Sequence, residues 1–558
     1  MSTSKPTQPT GDGITRRRFT KEATIATAAS VIAPSLLHAQ TEGKSFDIVI
    51  NSGRVMDPET GFDGVRNVGI RDGKIAAITE KAITGKETID ATNHVVAPGF
   101  IDEHFHWTRP MGYKLGLRDG VTTALDLEMG TEGTHVEDFY KAREGKTQPN
   151  FGAAVSHEFV RQFVLDGLLA KDCLECVESR KGKNWSSKKV SVEEGNKILQ
   201  HIDEGLRAGG LGVGSTLGYM RDGVTARELF EVQKMAAAYG RQTGVHLRYT
   251  PGDTTTEPIG AAEVLTNALA LGAPAIICHF NNPGWQLIQQ LLTLFQRQGH
   301  NVWGEIYPYA AGSTALNAVF LKPEVWVEQL GYKYEDSLMD PETNEFYTLK
   351  KYKEDVAREP TKIVIVYKMP ESEIEKWLRL PGVALACDGM PIPGDITWDT
   401  PFEKLPNTHP RTAGAHAASL RIGREKKIPL MQSLTQLGYV TARHLGDMGL
   451  ESMKERGRMQ EGKVADVVVF DPATVKDNST YAKGALPSSG IPHVIVNGVR
   501  VVKDSEVLKD VNPGHSIRFP VQPKGKFKPL VVEDWYEKHL VAPVDFCGTV
   551  PLGHAHDH

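Results

Sequence analysis

Eight short apolar runs occupy the middle of the chain, and each precedes a stretch with a helical pattern of apolar positions. Most successive starts are roughly 25 to 35 residues apart, the repeat expected of a (β/α)8 barrel. This spacing predicts an α/β fold with a TIM barrel over residues 99–450. The runs begin near residues 99, 121, 151, 211, 244, 275, 302 and 383.

Two of the intervals between these runs are much longer than the others, before residue 211 and before residue 383. The second contains the charged and aromatic stretch "LGYKYEDSLMDPETNEFYTLKKYKEDVAREP". A connection of this length inside a compact domain is usually functional, so we predict an inserted lid or edge subdomain at about 321–375.

Short alternating apolar runs broken by Gly and Asp-Gly turns flank the barrel pattern on both sides. The first group covers residues 46–98 and the second covers residues 455–515, and both are typical of hairpins in a small sheet. We therefore predict a small β-sandwich domain formed from both chain ends, followed by a C-terminal tail over 516–558.

The N-terminal stretch "TRRRFTKEATIATAASVIAPSLLHAQ" places Arg16 and Arg17 before a mildly apolar stretch, with a cleavage position after Ala39. This pattern resembles a twin-arginine signal peptide, which we assign to residues 1–40. It predicts export to the periplasm, with the twin-arginine machinery as a partner. Since no later run of 18 apolar residues occurs, the mature protein should not span a membrane.

The charge balance limits the kinds of partner. The chain has 64 Lys and Arg against 69 Asp and Glu, a formal net charge of −5. This composition argues against a nucleic-acid partner held by a general basic field. A small polar substrate would instead be bound by individual side chains in its binding site.

Metal-ligand residues follow several of the predicted barrel strands. His104 and His106 come after the first strand and, two residues apart, share one face of an extended chain. His246 follows the fifth strand, His279 the sixth, and Asp388 the eighth. Because the chemistry of a barrel lies at the carboxyl ends of its strands, this set predicts a site for one or two Zn²⁺ ions.

Zinc explains these residue types chemically. It lowers the pKa of a bound water toward 7 and polarises the carbonyl group that the resulting hydroxide attacks. A carboxylate beside the metal, Asp388, can take the proton of that water and deliver it to a leaving nitrogen. The pattern therefore predicts that the paired imidazoles hold a metal ion.

The stretch "PGFIDEHFH" resembles the first-strand signature of the amidohydrolase superfamily. The remaining stretches are similar to its N-acyl-D-amino-acid deacylase (D-aminoacylase) branch and run in family order from about residue 46 to 505. This resemblance implies hydrolysis of a carbon–nitrogen bond other than a peptide bond, in the linear amide of an N-acyl-D-amino acid. The stretches that carry it include "GVTTALDLEMG", "GGLGVGSTLGYM", "GVHLRY", "IICHFN", "EIYPYAAGST", "ACDGMP" and "THPRTAGAHAASLR".

The resemblance also implies roles for individual residues. His104 and His106 would hold a first metal site, and His246 and His279 a second. Asp388 would be the general acid/base that also touches the metal. Tyr219 would donate to the developing oxyanion, although a tyrosine at this position could equally be a packing residue. Arg248 and Ser313 would help to hold the substrate.

This chain departs from the family pattern at two positions. Met129 stands where the family has a cysteine ligand, and methionine is a poor zinc ligand. We predict instead that a bulge turns the adjacent Glu128 inward to bridge two metals. Asn281, which we also assign to the substrate-binding residues, stands where the branch commonly has a lysine that clamps the substrate carboxylate. A neutral amide cannot replace that charge, so either Arg248 holds the carboxylate or the substrate lacks one.

The resemblance leaves three alternatives open. A cyclic amide hydrolase of the dihydroorotase or hydantoinase kind and a dipeptidase share the metal centre and differ in the pocket. A non-catalytic relative would keep the barrel and bind metal or ligand without the reaction. The presence of Asp388 argues against this last alternative, because a protein that only binds a metal has less need of a residue that transfers protons.

Overall fold

The computed structural model describes residues 45–248 and 259–539. The signal peptide predicted over 1–40 lies outside these ranges, as does the end of the C-terminal tail.

The predicted barrel is confirmed, and each of the eight apolar runs forms one of its parallel strands. Neighbouring strands are hydrogen-bonded in the order β6 to β12, and β12 is then hydrogen-bonded to β17. The backbone N–H of Asp388 donates to the carbonyl of His104 at 2.9 Å, which links the last strand to the first. The barrel strands are β6 Phe100–Asp102, β7 Val121–Thr131, β8 Asn150–Ser156, β9 Gly212–Ser215, β10 Gln242–Val245, β11 Ala275–Ile277, β12 Val302–Ile306 and β17 Ala384–Leu385.

Every residue of these eight strands is buried, including their polar ones. Helices cover the outside of a parallel barrel, so its strands show no exposed face and appear as continuous apolar runs in the sequence. The helices up to the insertion are α1 Pro110–Arg118, α2 Val136–Arg143, α3 His157–Asp166, α4 Cys173–Ser179, α5 Asn184–Ser187, α6 Val192–Arg207, α7 Ala226–Ala238, α8 Ile259–Leu271 and α9 Trp285–Arg297.

Helix α6 illustrates how the outer layer forms. Its N-terminus is closed by a reciprocal pair of hydrogen bonds between Ser191 and Glu194, a capping box worth about 1 kcal/mol. One face of the helix is apolar and fully buried against the barrel, with Ile198 and Ile202 at its centre.

The β-domain is formed from both chain ends, as predicted, and contains nine strands. Strand β5 pairs in an antiparallel manner with β18, from Val467 opposite Pro98 to Phe470 opposite Val95. This pairing joins two parts of the chain that the whole barrel separates. The strands are β1 Phe46–Asp57, β2 Phe62–Arg71, β3 Lys74–Thr79, β4 Gly85–Asp90, β5 Val95–Pro98, β18 Val467–Phe470, β19 His493–Val496, β20 Val499–Lys503 and β21 Glu506–Val507.

The insertion is a small subdomain with a four-stranded sheet and an aromatic core that includes Trp326, Tyr334 and Tyr352. Its sheet begins at Ala311, ten residues before the predicted start at 321. Its elements are β13 Ala311–Ala315, α10 Pro323–Trp326, α11 Tyr334–Ser337, β14 Leu338–Asp340, β15 Glu345–Phe346, α12 Leu349–Arg358 and β16 Ile363–Tyr367.

The chain after the insertion returns to the barrel and then to the β-domain. Beyond the β-domain, Ile517 and Phe519 are buried, and the backbone of Ile517 bonds to Phe151 at the start of β8. Among the described residues, no helix has the length and apolar character needed to cross a membrane. The remaining helices are α13 Ile374–Leu378, α14 Arg411–Glu425, α15 Leu430–Leu434, α16 Val440–Asp447, α17 Glu451–Lys454 and α18 Val532–His539.

Candidate metal centre

All six predicted metal ligands converge at the carboxyl ends of the barrel strands. The Nε2 atoms of His104 and His106 lie 2.9 Å apart. Oδ1 of Asp388 lies 3.5 Å from Nε2 of His104 and 3.4 Å from that of His106. The rings of His246 and His279 meet edge to face, with their centroids 4.5 Å apart. Four imidazoles and two carboxylates from distant parts of the chain therefore face one small space.

Glu128 lies between the two histidine pairs. Its Oε2 atom is 3.2 Å from Nε2 of His104 and 3.4 Å from Nε2 of His106. Its Oε1 atom is 3.3 Å from Nδ1 of His246 and 3.0 Å from Nε2 of His279. Each carboxylate oxygen thus faces one pair, which is the arrangement that a bridging carboxylate requires.

The local backbone explains how Glu128 reaches this position. The pairing of β7 with β8 shifts register between Asp126, opposite Ala153, and Thr131, opposite Val155. Gly130 within this bulge has a φ of 65°, which glycine adopts without strain. The extra residues turn the Glu128 side chain into the barrel mouth, as the sequence predicted.

Two further carboxylates contact the Nδ1 atoms of His104 and His106, on the side of each ring that faces away from the centre. Glu305 accepts a hydrogen bond from Nδ1 of His104, and Asp126 lies 3.1 Å from Nδ1 of His106. A proton on each Nδ1 leaves the lone pair of each Nε2 directed at the centre. Neither carboxylate was identified from the sequence, although Glu305 is an acidic residue within the otherwise apolar run "VWGEI".

Backbone strain is concentrated at two of the predicted ligands. His279 has a φ of 29° and Asp388 has a φ of 51°, values that residues other than glycine rarely adopt. Conformations of this kind cost of order 1–3 kcal/mol and persist where the surrounding structure enforces them. They cluster at functional sites, which agrees with the position of these two residues.

The charges at the centre favour a cation. Burial alone would lower the pKa of His104, but the carboxylates of Glu305, Glu128 and Asp388 raise it well above its ordinary value. Burial opposes ionisation of Asp388, yet Arg411 and His104 hold the pKa of its carboxyl well below the ordinary value. Asp388 is therefore an ionised carboxylate at neutral pH, within a buried cluster that attracts positive charge.

The donor set fits a divalent metal. The candidate ligand atoms of His104, His106 and Glu128 lie within 4.8 Å of one another, and so do those of Glu128, His246 and His279. Imidazole nitrogen and carboxylate oxygen are donors that zinc prefers. Two sites that share Glu128 would accommodate one or two ions.

The predicted oxyanion donor, Tyr219, lines the cavity at this centre together with the predicted substrate residue Ser313. The hydroxyl of Tyr219 lies 2.8 Å from Oγ1 of Thr314, and the Arg180 guanidinium lies 4.5 Å from the centre of its ring. Burial raises the pKa of Tyr219 to about 12, so its hydroxyl keeps its proton and remains a hydrogen-bond donor.

The other two predicted substrate residues lie away from the ligand cluster. The guanidinium of Arg248 donates to Glu263 at 2.9 Å and to the carbonyls of Arg221 and Val224. Asn281 is buried, and its amide donates to the carbonyl of Tyr307 at 3.1 Å. Both side chains therefore make structural contacts, and their predicted role in substrate binding stays a prediction.

Three cations that line the cavity were not selected as site residues from the sequence, namely Arg180, Lys368 and Arg411. Arg411, in the "HPRTAGAH" stretch after the last strand, pairs through Nη1 with Oδ2 of Asp388 at 2.8 Å. Lys368 enters the cavity from the insertion. The polar stretch around Arg411 follows a barrel strand and could have indicated this residue, whereas nothing in the stretch around Lys368 indicates a site.

No family model matches the chain. Two relatives come from Alcaligenes xylosoxydans xylosoxydans: a D-aminoacylase, 26% identical over 83% of this chain and 96% of its own length, and an N-acyl-D-glutamate deacylase, 26% identical over 82% and 94%. An allantoinase of Salmonella paratyphi B is 24% identical over 87% of this chain and 98% of its own length.

Two solved structures share the fold. A crystal structure of D-aminoacylase covers 85% of this chain and 100% of its own, with a TM-score of 0.69 and 22% identity. The N-acyl-D-glutamate deacylase of Bordetella bronchiseptica, solved with zinc and a phosphonate inhibitor, has the same coverage, a TM-score of 0.68 and 23% identity.

By sequence and by fold, the chain is similar to proteins of the amidohydrolase superfamily. Within that superfamily, its similarity is to the D-aminoacylase-like branch.

Proposed function

We propose that this protein is a zinc-dependent amidohydrolase that cleaves the linear amide bond of an N-acyl-D-amino acid. The observation that carries the proposal is Glu128, whose two oxygens each face one histidine pair, beside the ionised carboxylate of Asp388. The similarity to D-aminoacylase and N-acyl-D-glutamate deacylase supports this substrate class.

The centre would hold one or two Zn²⁺ ions through His104, His106, Glu128, His246, His279 and Asp388. A bound divalent ion supplies Lewis acidity and lowers the pKa of water. Its identity as zinc is supported by the nitrogen and oxygen donors and by the zinc in the Bordetella bronchiseptica structure.

The chain's own residues then move the protons. The Asp388 carboxylate accepts the proton of the attacking water and transfers it to the leaving nitrogen. Arg411 holds Oδ2 of Asp388, so Oδ1 faces the centre. The Tyr219 hydroxyl donates to the carbonyl oxygen as negative charge develops on it, and Thr314 positions that hydroxyl.

Replacement of Asp388 by Asn tests this role. The amide keeps the shape of the side chain but cannot carry the proton, so we expect kcat to fall by at least about 100-fold. Hydrolysis of paired N-acetyl-D- and L-amino acids measures this loss, and elemental analysis reports zinc per chain. A fully metallated wild-type protein that turned over no amide in the panel would support a non-catalytic binding protein instead.

A cyclic amide hydrolase is the second candidate, because the chain is also similar to an allantoinase over 98% of that protein's length. The same panel should therefore include cyclic ureides. Hydrolysis of these with no turnover of N-acyl amino acids would replace the first proposal by this one.

We further propose that residues 1–40 export the folded protein to the periplasm through the twin-arginine machinery. The support is the sequence pattern around Arg16 and Arg17. Replacement of both arginines by lysine should leave the full-length precursor in the cytoplasm. Mature protein in the periplasmic fraction of the double variant would contradict the proposal.

A further inference from the structure

Arg180 lies against Tyr219 at the cavity of the metal centre. Its guanidinium carbon is 4.5 Å from the centre of the Tyr219 ring, and both residues line that cavity. The Arg180 side chain is buried. A desolvated cation at this distance from an aromatic face is attracted by the quadrupole of the ring. The contact therefore joins a positive charge to the tyrosine that is assigned to the oxyanion.

The connection that carries Arg180 is the first of the two long intervals in the barrel pattern. It runs from β8 to β9 and contains the helices α3 to α6. Arg180 directly follows α4, and its backbone N–H donates to the carbonyl of Cys176 at 2.9 Å. The extra length of this connection thus brings a cation back to the mouth of the barrel.

A single carboxylate binds both Arg180 and the turn that carries Tyr219. Glu158 of α3 accepts from Nε and Nη2 of Arg180 at 2.7 and 2.9 Å. Its Oε2 atom also accepts from the hydroxyl of Thr216. The carbonyl of Thr216 accepts from the backbone N–H of Tyr219 at 3.0 Å. Because Glu158 is fully buried, these hydrogen bonds fix the arginine and the tyrosine relative to each other.

The charge of Arg180 also acts on the tyrosine hydroxyl. Burial raises the pKa of Tyr219, and the positive charge of Arg180 opposes that rise. A nearby cation stabilises negative charge on the phenol oxygen, so the hydroxyl is a stronger hydrogen-bond donor than burial alone would leave it. The hydroxyl itself is oriented by Thr314, whose Oγ1 atom lies 2.8 Å away.

We propose that Arg180 is a positioning residue that orients Tyr219 and strengthens its hydroxyl as a donor to the oxyanion. This inference rests on the proposed function and adds a residue to its mechanism. In this role Arg180 acts through Tyr219 and makes no contact with the reacting atoms. Negative charge develops on the carbonyl oxygen only in the transition state, so the effect should appear in kcat and not in KM.

The test measures the coupling between Arg180 and Tyr219 in the zinc-loaded protein. The values of kcat and KM are determined for Arg180→Gln, for Tyr219→Phe and for the double variant. We expect Tyr219→Phe to lower kcat about 100-fold and Arg180→Gln to lower it about 10- to 30-fold, with KM changed by less than about twofold. In the Tyr219→Phe background, Arg180→Gln should lower kcat by less than about twofold.

Two further variants separate the charge from the packing. Arg180→Lys keeps the positive charge and should restore part of kcat. Arg180→Gln leaves the Glu158 carboxylate buried without its partner, which destabilises the fold. The double variant Arg180→Gln/Glu158→Gln removes both charges and should lose kcat as Arg180→Gln does. Zinc content is measured for every variant, because Nη2 of Arg180 also lies 3.9 Å from Sδ of Met129, the neighbour of Glu128.

Arg109→Gln is the matched control. Arg109 forms a double hydrogen bond with Asp172, at 2.9 and 3.2 Å, and Asp172 accepts from the backbone N–H of Leu174 in α4. This pair therefore holds the same helix, but the Arg109 side chain is 40% exposed. We expect kcat to be unchanged in Arg109→Gln.

A loss of kcat in Arg180→Gln that persisted in full in the Tyr219→Phe background would overturn the proposal, because Arg180 would then act by another route. An equal loss in Arg109→Gln would also overturn it, as would wild-type kcat in Arg180→Gln/Glu158→Gln. If the protein hydrolysed cyclic ureides and no N-acyl amino acid, the proposed function would fail, and the same comparison on the ureide would decide the role of Arg180. A protein that turned over no amide would overturn both.

Discussion

Two histidines at the candidate metal centre, His104 and His106, each depend on a carboxylate that binds the ring nitrogen facing away from the centre. Glu305 fixes the Nδ1 proton of His104, and Asp126 does the same for His106. Both carboxylates are almost fully buried, so they act on the imidazoles without competition from water. A change at either residue should therefore act on metal affinity without removing a ligand.

Replacement of Glu305 by Gln tests this dependence. The amide keeps the size of the side chain but loses its charge, so the Nε2 atom of His104 becomes a weaker base. We expect the dissociation constant of the bound metal to rise about 10- to 100-fold. A competition titration with a chromophoric chelator measures it, with Glu345→Gln at an exposed site as the control. An unchanged dissociation constant of the metal would show that Glu305 has only a packing role.

The sequence predicted the inner residues of the site but not the outer ones, for a physical reason. His104 and His106 are two residues apart, so their shared face follows from strand geometry alone. Glu305 contacts His104 across 201 residues of chain, and no local pattern reports that contact. Lys368 reaches the cavity from a subdomain whose fold has no repeat to guide prediction.

The strands and the insertion show the same contrast at the scale of elements. The eight barrel strands were predictable because burial on all sides makes each a continuous apolar run. Strand β13, "AGSTA", consists of small and polar residues and is defined by its pairing with β16. Its sequence does not distinguish it from a loop, which is why the insertion begins earlier than predicted.

The bulge of β7 is the element that places Glu128, and Gly130 is its tightest point. A Cβ atom at Gly130 would lie 2.1 Å from the carbonyl oxygen of Ala154, on the neighbouring strand. The backbone of Ala154 cannot move aside as a flexible side chain can. A larger residue at position 130 must therefore displace the bulge. The position of Glu128 therefore depends on a glycine two residues away.

Replacement of Gly130 by Ala should lower both stability and metal content. The positive φ alone costs an alanine about 1–2 kcal/mol, and the clash adds to this. Gly167→Ala is the matched control, because Gly167 has a φ of 67° and no atom within 4 Å of its built Cβ. Urea unfolding and elemental analysis of both variants separate the two effects. Equal destabilisation and full zinc content in both would contradict the role of the bulge.

At the scale of the whole molecule, one buried carboxylate ties the β-domain to the barrel. Asp466 lies just before β18 and accepts hydrogen bonds from Asn150 of the barrel strand β8 at 2.9 Å and from Arg456 at 2.9 Å. It also accepts from the backbone N–H of Asn497, in the β-domain, at 2.6 Å. Both domains thus share a single charged partner at their boundary.

Replacement of Asp466 by Ala should therefore destabilise the whole chain rather than one domain. The change leaves the Arg456 guanidinium buried without its carboxylate, which typically costs 3–5 kcal/mol. Asp63→Ala is the matched control, since Asp63 also pairs with an arginine, Arg54, but at an exposed site, where a pair contributes at most about 1 kcal/mol. Urea unfolding followed by circular dichroism and by tryptophan fluorescence measures the loss and shows whether the domains unfold together. Equal effects of the two variants would mean that Asp466 contributes no more to the stability of the chain than a surface pair does.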